Sequence, residues 1–256
     1  MISLNIMLII FRKTFTKNSK CIENLELSWY NYGQKEKNME KIIERMGKIE
    51  FGRFYNNKNR IISSLDESPI IDSQKEYDIT LNQLKKLLDN EYIFELIPHR
   101  EKINIYRTKA ENLLSKYRFD IFVKYYYVKS YIENENINEA KEIYLSHIKA
   151  FNNFYEPDGR KNNAKDFIEK FNMLIENIKL NNNLNKTVIP VSTTGIPIDG
   201  AHRIAIALYF NLEVRYCVFD LLDGKYDETF FLQRGMPYEH IQKIKNLSEN
   251  IEMNTV

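Results

Sequence analysis

The residues best equipped for chemistry fall in one run, Asp199-Gly200-Ala201-His202-Arg203, set between a punctuated β-branched stretch and the smooth segment "IAIALYF". Gly200 suits a sharp turn from an extended segment into a helix, and without a Cβ it admits close approach of backbone to a ligand. The first amides of the following helix have no internal partners, and the helix dipole adds positive character there. An anion binds naturally at such a turn. Arg203 offers phosphate oxygens a planar fork, and His202 offers a further donor. A bare phosphate would be repelled by Asp199. That carboxylate becomes useful if it caps the helix, holds a magnesium ion, or accepts a proton from a substrate hydroxyl. The plainer alternative is a common Asp-Gly turn with Asp199 as cap and Arg203 as a surface charge.

Other residues read two ways. Glu156 ends the aromatic run "FNNFYE"; a carboxylate beside aromatic walls can act as a general base with a raised pKa, or it is a solvated loop acid. Asp120 and Lys124 lie one helical turn apart. They form a surface pair, or they point into a cleft where Lys124 touches phosphate, with Arg118 beside them. His147 sits on an apolar helix face and reads as a satisfied core histidine or a catalytic one. Arg234, next to Gly235, is a candidate to close the site from the C-terminal side. The tyrosines of "YYYVKSY" point several ways at helical spacing, which favours core and rim packing over a nucleic-acid stacking platform.

The elements that must position these residues follow from composition and pattern. The chain has 256 residues, 43% hydrophobic and 28% charged, with 8 glycines and 6 prolines. That permits one large core or two small ones and favours helices over a turn-rich all-β fold. A net charge of +2 offers no basis for nucleic-acid binding. Cys21 and Cys217 match no metal or redox spacing, and a reduced, cytoplasmic setting is expected. The opening "MISLNIMLIIF" is too short to span a bilayer, and its basic residues follow the apolar run where a secretory signal would place them before it.

Residues 1–75 read as a poorly defined segment ending in a polar connector, "SSLDESPIIDSQKEYD". Residues 76–182 read as a helical region. It opens at Asp78 or Thr80 as an N-cap and continues through one long helical block, "NIYRTKAENLLSKYRFDIFVKYYYVKSYIENEN". Two amphipathic helices follow, the first stopped by Pro157 and Gly159. Residues 183–256 read as an α/β unit. It has two strands around a tight turn at Thr193–Gly195, a helix from Ala201, a strand in "LEVRYCVFDLL", and two short helices broken at Gly235–Pro237. The class expected is α+β, a helical layer packed on a small α/β unit.

Across about forty residues, roughly 184–222, "VIPVSTTGIPIDGAHRIAIALYFNLEVRYCVF" resembles the core of the ParB/sulfiredoxin-like superfamily, whose members carry an Asp-Gly-x-His-Arg or Gly-x-His-Arg box ahead of a small-residue helix. Sulfiredoxins place a nucleophilic cysteine before the His-Arg pair; this chain has Ala201 there, which argues against sulfinic-acid repair. ParB proteins bind CTP and add a DNA-reading domain, for which little chain follows here. The free-serine-kinase branch fits best by residue type. In it the box holds nucleotide phosphate near a hydroxyl substrate, with a separate glutamate as base. The pieces "RFDIFVK", "YLSHIKAFNNFYE" and "IDGAHRIA" are also similar to a group of bacterial proteins of unassigned activity encoded among surface-polysaccharide genes.

The resemblance implies a nucleotide-dependent phosphotransferase acting on a small hydroxylated metabolite. Gly200, Ala201, His202, Arg203 and Lys124 would hold phosphate, and Asp199, Glu156 and His202 would take catalytic roles. ATP or ADP, with CTP as the alternative, and Mg2+ at Asp199 would be the cofactors. No nucleic-acid partner and no membrane span are expected. The alternative is a non-catalytic nucleotide-binding switch of ParB type.

Overall fold

The computed structural model describes residues 61–62, 68–88, 99–156, 160–181, 184, 187–220 and 225–253. All of them belong to one compact unit, Arg45–Val256. The expectations for residues 1–60, for Cys21, and for Pro157 and Gly159 as a helix stop lie outside the described residues.

The class is α+β: helices plus a four-stranded mixed sheet. The strands are β2 (Gln74–Ile79), β4 (Ile103–Lys109), β5 (Ile189–Ser192) and β6 (Glu213–Phe219), in the order β2-β4-β6-β5. The β2–β4 and β4–β6 pairs are antiparallel and β5–β6 is parallel. Two short strands, β1 (Ile61–Ile62) and β3 (His99–Arg100), pair in parallel apart from this sheet.

Two expectations need correction. Residues 74–78, expected to be connector, form with Ile79 the edge strand β2, which leads directly into the capping box of Thr80 and Gln83 on the single-turn helix α1 (Leu81–Leu84). Residues 104–109, expected to start a long helix, form with Ile103 the strand β4 at the centre of the sheet. On one side they pair with β2, and on the other with β6, more than a hundred residues away, as in Ile105↔Cys217 and Tyr106↔Tyr216. Strand alternation explains the swap. Ile103 and Ile105 are buried on one face; Tyr106 faces the other and stacks on Tyr216 at 5.3 Å. Helix begins only after a short 3-10 turn, Ala110–Leu113.

Three longer helices follow: α2 (Phe119–Glu133), α3 (Ile137–Asn152) and α4 (Ala164–Asn181). In α3 the buried residues are Ala140, Ile143, Tyr144, His147, Ile148 and Ala150, the spacing of a one-faced helix. In α4 they are Phe167, Phe171, Ile175 and Ile178. Helix α2 differs. It is buried nearly all round, Asp120 and Lys124 included, so it is a central element with neighbours on several sides. Tyr126 and Tyr127 of the tyrosine run are among its buried residues, in line with core packing.

The chain then makes the β5–α5–β6 unit, with α5 at Ala201–Tyr209 and Ala201, Ala205 and Ala207 buried. After Gly195 turns the chain, the expected second strand amounts to a single bridge, Val191↔Pro197, with the Ile198 amide donating to the Pro190 carbonyl at 2.8 Å. Helices α6 (Glu228–Gln233) and α7 (Tyr238–Met253) complete the described chain; α7 has 16 residues and is not short. One hydrophobic cluster joins α2, α3, α4, α5 and the face of the sheet that carries Tyr106, Val214, Tyr216 and Val218.

Candidate functional site

The Asp199–Arg203 turn is positioned from two sides. Behind it, the hairpin arm pairs back on β5. Gly200 is the N-cap of α5 with φ +88°, and a Cβ there would lie 2.5 Å from Ile189 Cδ1. Glycine is therefore required by conformation and by packing on β5. Ile189 fills the space that the missing Cβ leaves on that side. The expectation of Asp199 as cap is corrected, because the cap residue is Gly200 and no side chain caps α5.

From the other side, Arg118 reaches the turn. Its guanidinium grips Asp120 through two parallel bonds, Nε–Oδ1 at 2.8 Å and Nη2–Oδ2 at 3.0 Å, and donates through Nη1 to the Pro197 carbonyl. Lys124 Nζ donates to the same Asp120 carboxylate at 2.8 Å. All three side chains are buried. Of the two readings left open by the sequence, the surface pair is excluded. Burial alone would raise the Asp120 carboxyl, but Arg118 and Lys124 overcome it and hold it well below the usual carboxylate range. One carboxylate is thus shared by two cations. The Asp199 carboxylate, two residues beyond Pro197, acts on Arg118 from the turn side. The ring of Tyr226 lies under Arg118 at 5.5 Å, and Tyr226 brackets the start of α2 through its backbone.

The imidazole of His202 turns toward the helices. Its Nε2 is 2.9 Å from the Tyr144 hydroxyl, and its ring meets Phe171 edge-on at 4.5 Å. Burial, reinforced by the charges of Lys124 and Lys161, holds it neutral, well below the ordinary histidine pKa. Partly buried Arg203 stands in the first turn of α5, and burial lowers its pKa too. Glu156, past the end of α3, pairs with Lys161 at 2.7 Å, and its amide donates to the Lys161 carbonyl at 2.9 Å. This carboxylate acts on Tyr144, whose pKa is raised well above normal, mostly by burial. The structure thus relates Lys124, Glu156, Asp199 and His202 to one end of α5 through Tyr144, Arg118 and Asp120, and Arg203 stands in the first turn of that helix.

His147 is fully buried, as expected of a core residue, but it is not satisfied. Neither ring nitrogen has a hydrogen-bond partner among the described residues. Arg234 does not close the site; it donates to the Ala150 and Phe151 carbonyls at the end of α3 and lies over Phe230, the role of a basic helix C-cap. Cys217 is a buried residue of β6 whose thiol pKa is pushed up by burial. Sequence reasoning missed Tyr144, Phe171, Lys161 and Tyr226. Only Tyr144 carried a signal, its place three residues before His147 on the same face.

Two groups can be tested against these residues. A phosphate fits the α5 N-terminus: no side chain caps it, its first turn holds no acid, and Arg203 stands there. For a metal, no group of three or more His, Cys, Asp or Glu side chains is assembled among the described residues. Magnesium fits only in the mode where one carboxylate, Asp199, supplements substrate phosphates. Among the described residues no helix is long and apolar enough to cross a membrane. Comparison with protein-family models, curated proteins and solved structures found no match.

Proposed function

We propose that this chain is a nucleotide-dependent phosphotransferase for a small hydroxylated metabolite, a sugar, polyol or amino acid, with the Asp199–Arg203 box as its phosphate site. The observation that carries this reading is Arg118, which ties the box turn to a buried carboxylate shared by two cations. The uncapped α5 amides, with Arg118 and Lys124 near the turn, favour an anion at that end of α5. Arg203, Ala201 and Gly200 would hold phosphate from the helix side, and Lys124 and Arg118 would supply charge from below. The likeness of the box to ParB/sulfiredoxin-like kinases supports the same reading, and the resemblance to a group encoded among surface-polysaccharide genes suggests the metabolite class. When bound with the nucleotide, Mg2+ would neutralise charge on the phosphates, held by Asp199. The chain's own residues then contribute mostly by positioning and electrostatics.

Calorimetry with ATP, ADP and CTP in the presence of Mg2+, on wild type and Arg203→Ala, tests this. One nucleotide should bind, and the variant should lose about 1.5–3 kcal/mol, the worth of hydrogen bonds to a charged group. Absence of binding at millimolar concentrations would remove the reading.

A second reading rests on His202. Its engagement by Tyr144 couples α5 to α3, so a bound nucleotide could shift one helix on the other. That is the behaviour of a non-catalytic switch. Nucleotide binding without transfer to any acceptor would select it.

A further inference from the structure

The hydrogen bond between Tyr144 and His202 has a direction, and the direction decides what His202 can do. Tyr144 is fully buried, its ring seated against Tyr127 at 5.0 Å and Phe171 at 5.2 Å, and its hydroxyl lies 2.9 Å from His202 Nε2. The phenolic proton has no other acceptor among the described residues. If the hydroxyl instead accepted from an Nε2–H, its own proton would be stranded in the core, and buried donors without an acceptor are rare. The hydroxyl therefore donates. Burial, with the Glu156 carboxylate, raises the pKa of the phenol and keeps that proton on it. Burial, with the charges of Lys124 and Lys161, keeps the imidazole neutral, so the ring has one proton to place. A neutral imidazole whose Nε2 accepts carries that proton on Nδ1.

We propose that Tyr144 is a positioning residue of the phosphate site: by donating to Nε2 it fixes His202 as the Nδ1–H tautomer, a neutral donor to the phosphate at the α5 N-terminus. This rests on the phosphotransferase reading, in which the box holds phosphate. His202 is the second residue of α5, and helical side chains lean toward the N-terminus. That brings Nδ1, the ring nitrogen nearer the backbone, toward the end of α5 that no side chain caps. Nδ1 has no partner among the described residues, and the side chain is only half-buried, so a ligand can reach it. The assignment also removes a role. With Nε2 taken by the phenol and Nδ1 protonated, the ring has no free lone pair, so His202 is not the base that takes a proton from the acceptor hydroxyl. It selects instead for a ligand atom that only accepts, as an ionised phosphate oxygen does.

The test uses the full chain with isotopically labelled histidine. Long-range proton–nitrogen NMR distinguishes a protonated ring nitrogen from a bare one, and the signals lost in His202→Gln identify His202. Wild type is expected to show Nδ1 protonated and Nε2 bare, and Tyr144→Phe to move the proton wholly or partly to Nε2. Calorimetry with Mg-ATP, Mg-ADP and Mg-CTP reads the consequence. For the nucleotide that binds, Tyr144→Phe is expected to weaken affinity about tenfold or more, the worth of a hydrogen bond to a charged group. His202→Asn sets its amide near the place of Nδ1 and His202→Gln near that of Nε2, so glutamine should bind about fivefold or more weaker than asparagine. In the His202→Asn background Tyr144→Phe should cost about twofold at most, because no tautomer is left to fix. Wild type with the proton on Nε2 overturns the proposal. So does a switched tautomer that leaves affinity unchanged, or an equal cost of Tyr144→Phe in both backgrounds, which is what mere packing would give. If Tyr144→Phe fails to fold, the wild-type tautomer and the two His202 variants decide, and glutamine binding as well as asparagine overturns it. Each of these failures leaves nucleotide binding, and the phosphate site, standing. A wild type that binds none of the three nucleotides removes the phosphate site and the donor role together.

Discussion

Two clusters in this molecule share one stoichiometry, a carboxylate between two cations, in opposite settings. On the sheet, Glu76 takes Arg107 Nε at 2.6 Å and Arg215 Nε at 2.5 Å. Arg107 and Arg215 are register partners on β4 and β6, like charges that would repel. Glu76 is the residue passed over where the β2 register shifts between Lys75 and Tyr77. In the core, Asp120 takes Arg118 and Lys124. The side chains of the first cluster are 18–37% exposed; those of the second, 2–6%. The exposed cluster costs little to desolvate and gains little, and repairing a like-charge pair accounts for it. The buried cluster costs several kcal/mol per ion to desolvate, more than an apolar core of the same volume would ask. Its retention beside the Asp199–Arg203 turn points to a use beyond stability.

The strongest break of this comparison is Asp120→Asn. It keeps shape but strands two buried cations. A loss of about 3–5 kcal/mol is expected in chemical unfolding, the range for removing one partner of a buried pair. The Pro197 tie through Arg118 should slacken as well, lowering nucleotide affinity even where the fold survives. A loss below about 1 kcal/mol would place Asp120 in the same class as Glu76 and undo the contrast.

Acid sharpens the comparison next. His147 and His202 are both held neutral in the fold, their pKa values well below the ordinary one. The unfolded chain therefore binds more protons below about pH 6.5, and stability must fall as pH falls through that value. The slope approaches about 1.4 kcal/mol per pH unit for each histidine. Asp120 behaves in a second window. Its depressed pKa contributes stability that is present above the unfolded value near 3.9 and lost as pH falls further. Unfolding midpoints followed from about pH 8 down to about pH 2 should decline in that order, and His147→Phe should remove part of the first decline. A flat profile from pH 7 to pH 5 would mean that the histidines are not held neutral.

The sequence showed the box and the class, but not why the box stands where it does. Gly200 was legible as a turn; that Ile189 occupies its missing Cβ depends on β5 folding back over it. Strand β4 was hidden because no Gly or Pro separates it from the helix that follows, one of its partners, β6, lies far along the chain, and the other, β2, read as connector. Asp120 and Lys124 showed the i, i+4 spacing of an ion pair, but α2 is apolar on nearly every side, so no stripe could say whether the pair faced in or out. His147 was read correctly as buried. Its lack of a partner could not be seen, because satisfaction is a property of neighbours brought in by other helices.

The smallest expected effect lies on the sheet. Glu76→Gln keeps the hydrogen-bonding shape and removes only the charge. Burial works to raise the Glu76 carboxyl, but Arg215 and Arg107 outweigh it and lower it, so the charged form contributes stability above the unfolded pKa and loses it in acid. Because the cluster meets solvent, salt screens it. A loss of about 0.5–1 kcal/mol at low salt is expected in chemical unfolding, shrinking toward zero in 1 M salt. A loss that survives high salt would show that the Arg107–Arg215 repulsion is the larger part, because relief of a close like-charge pair is less readily screened than a distant one. The Asp120→Asn loss should be almost indifferent to salt, since its ions are sealed from it. The salt dependence of the two variants, more than their absolute size, therefore separates a cluster that mends a sheet from one that charges a site.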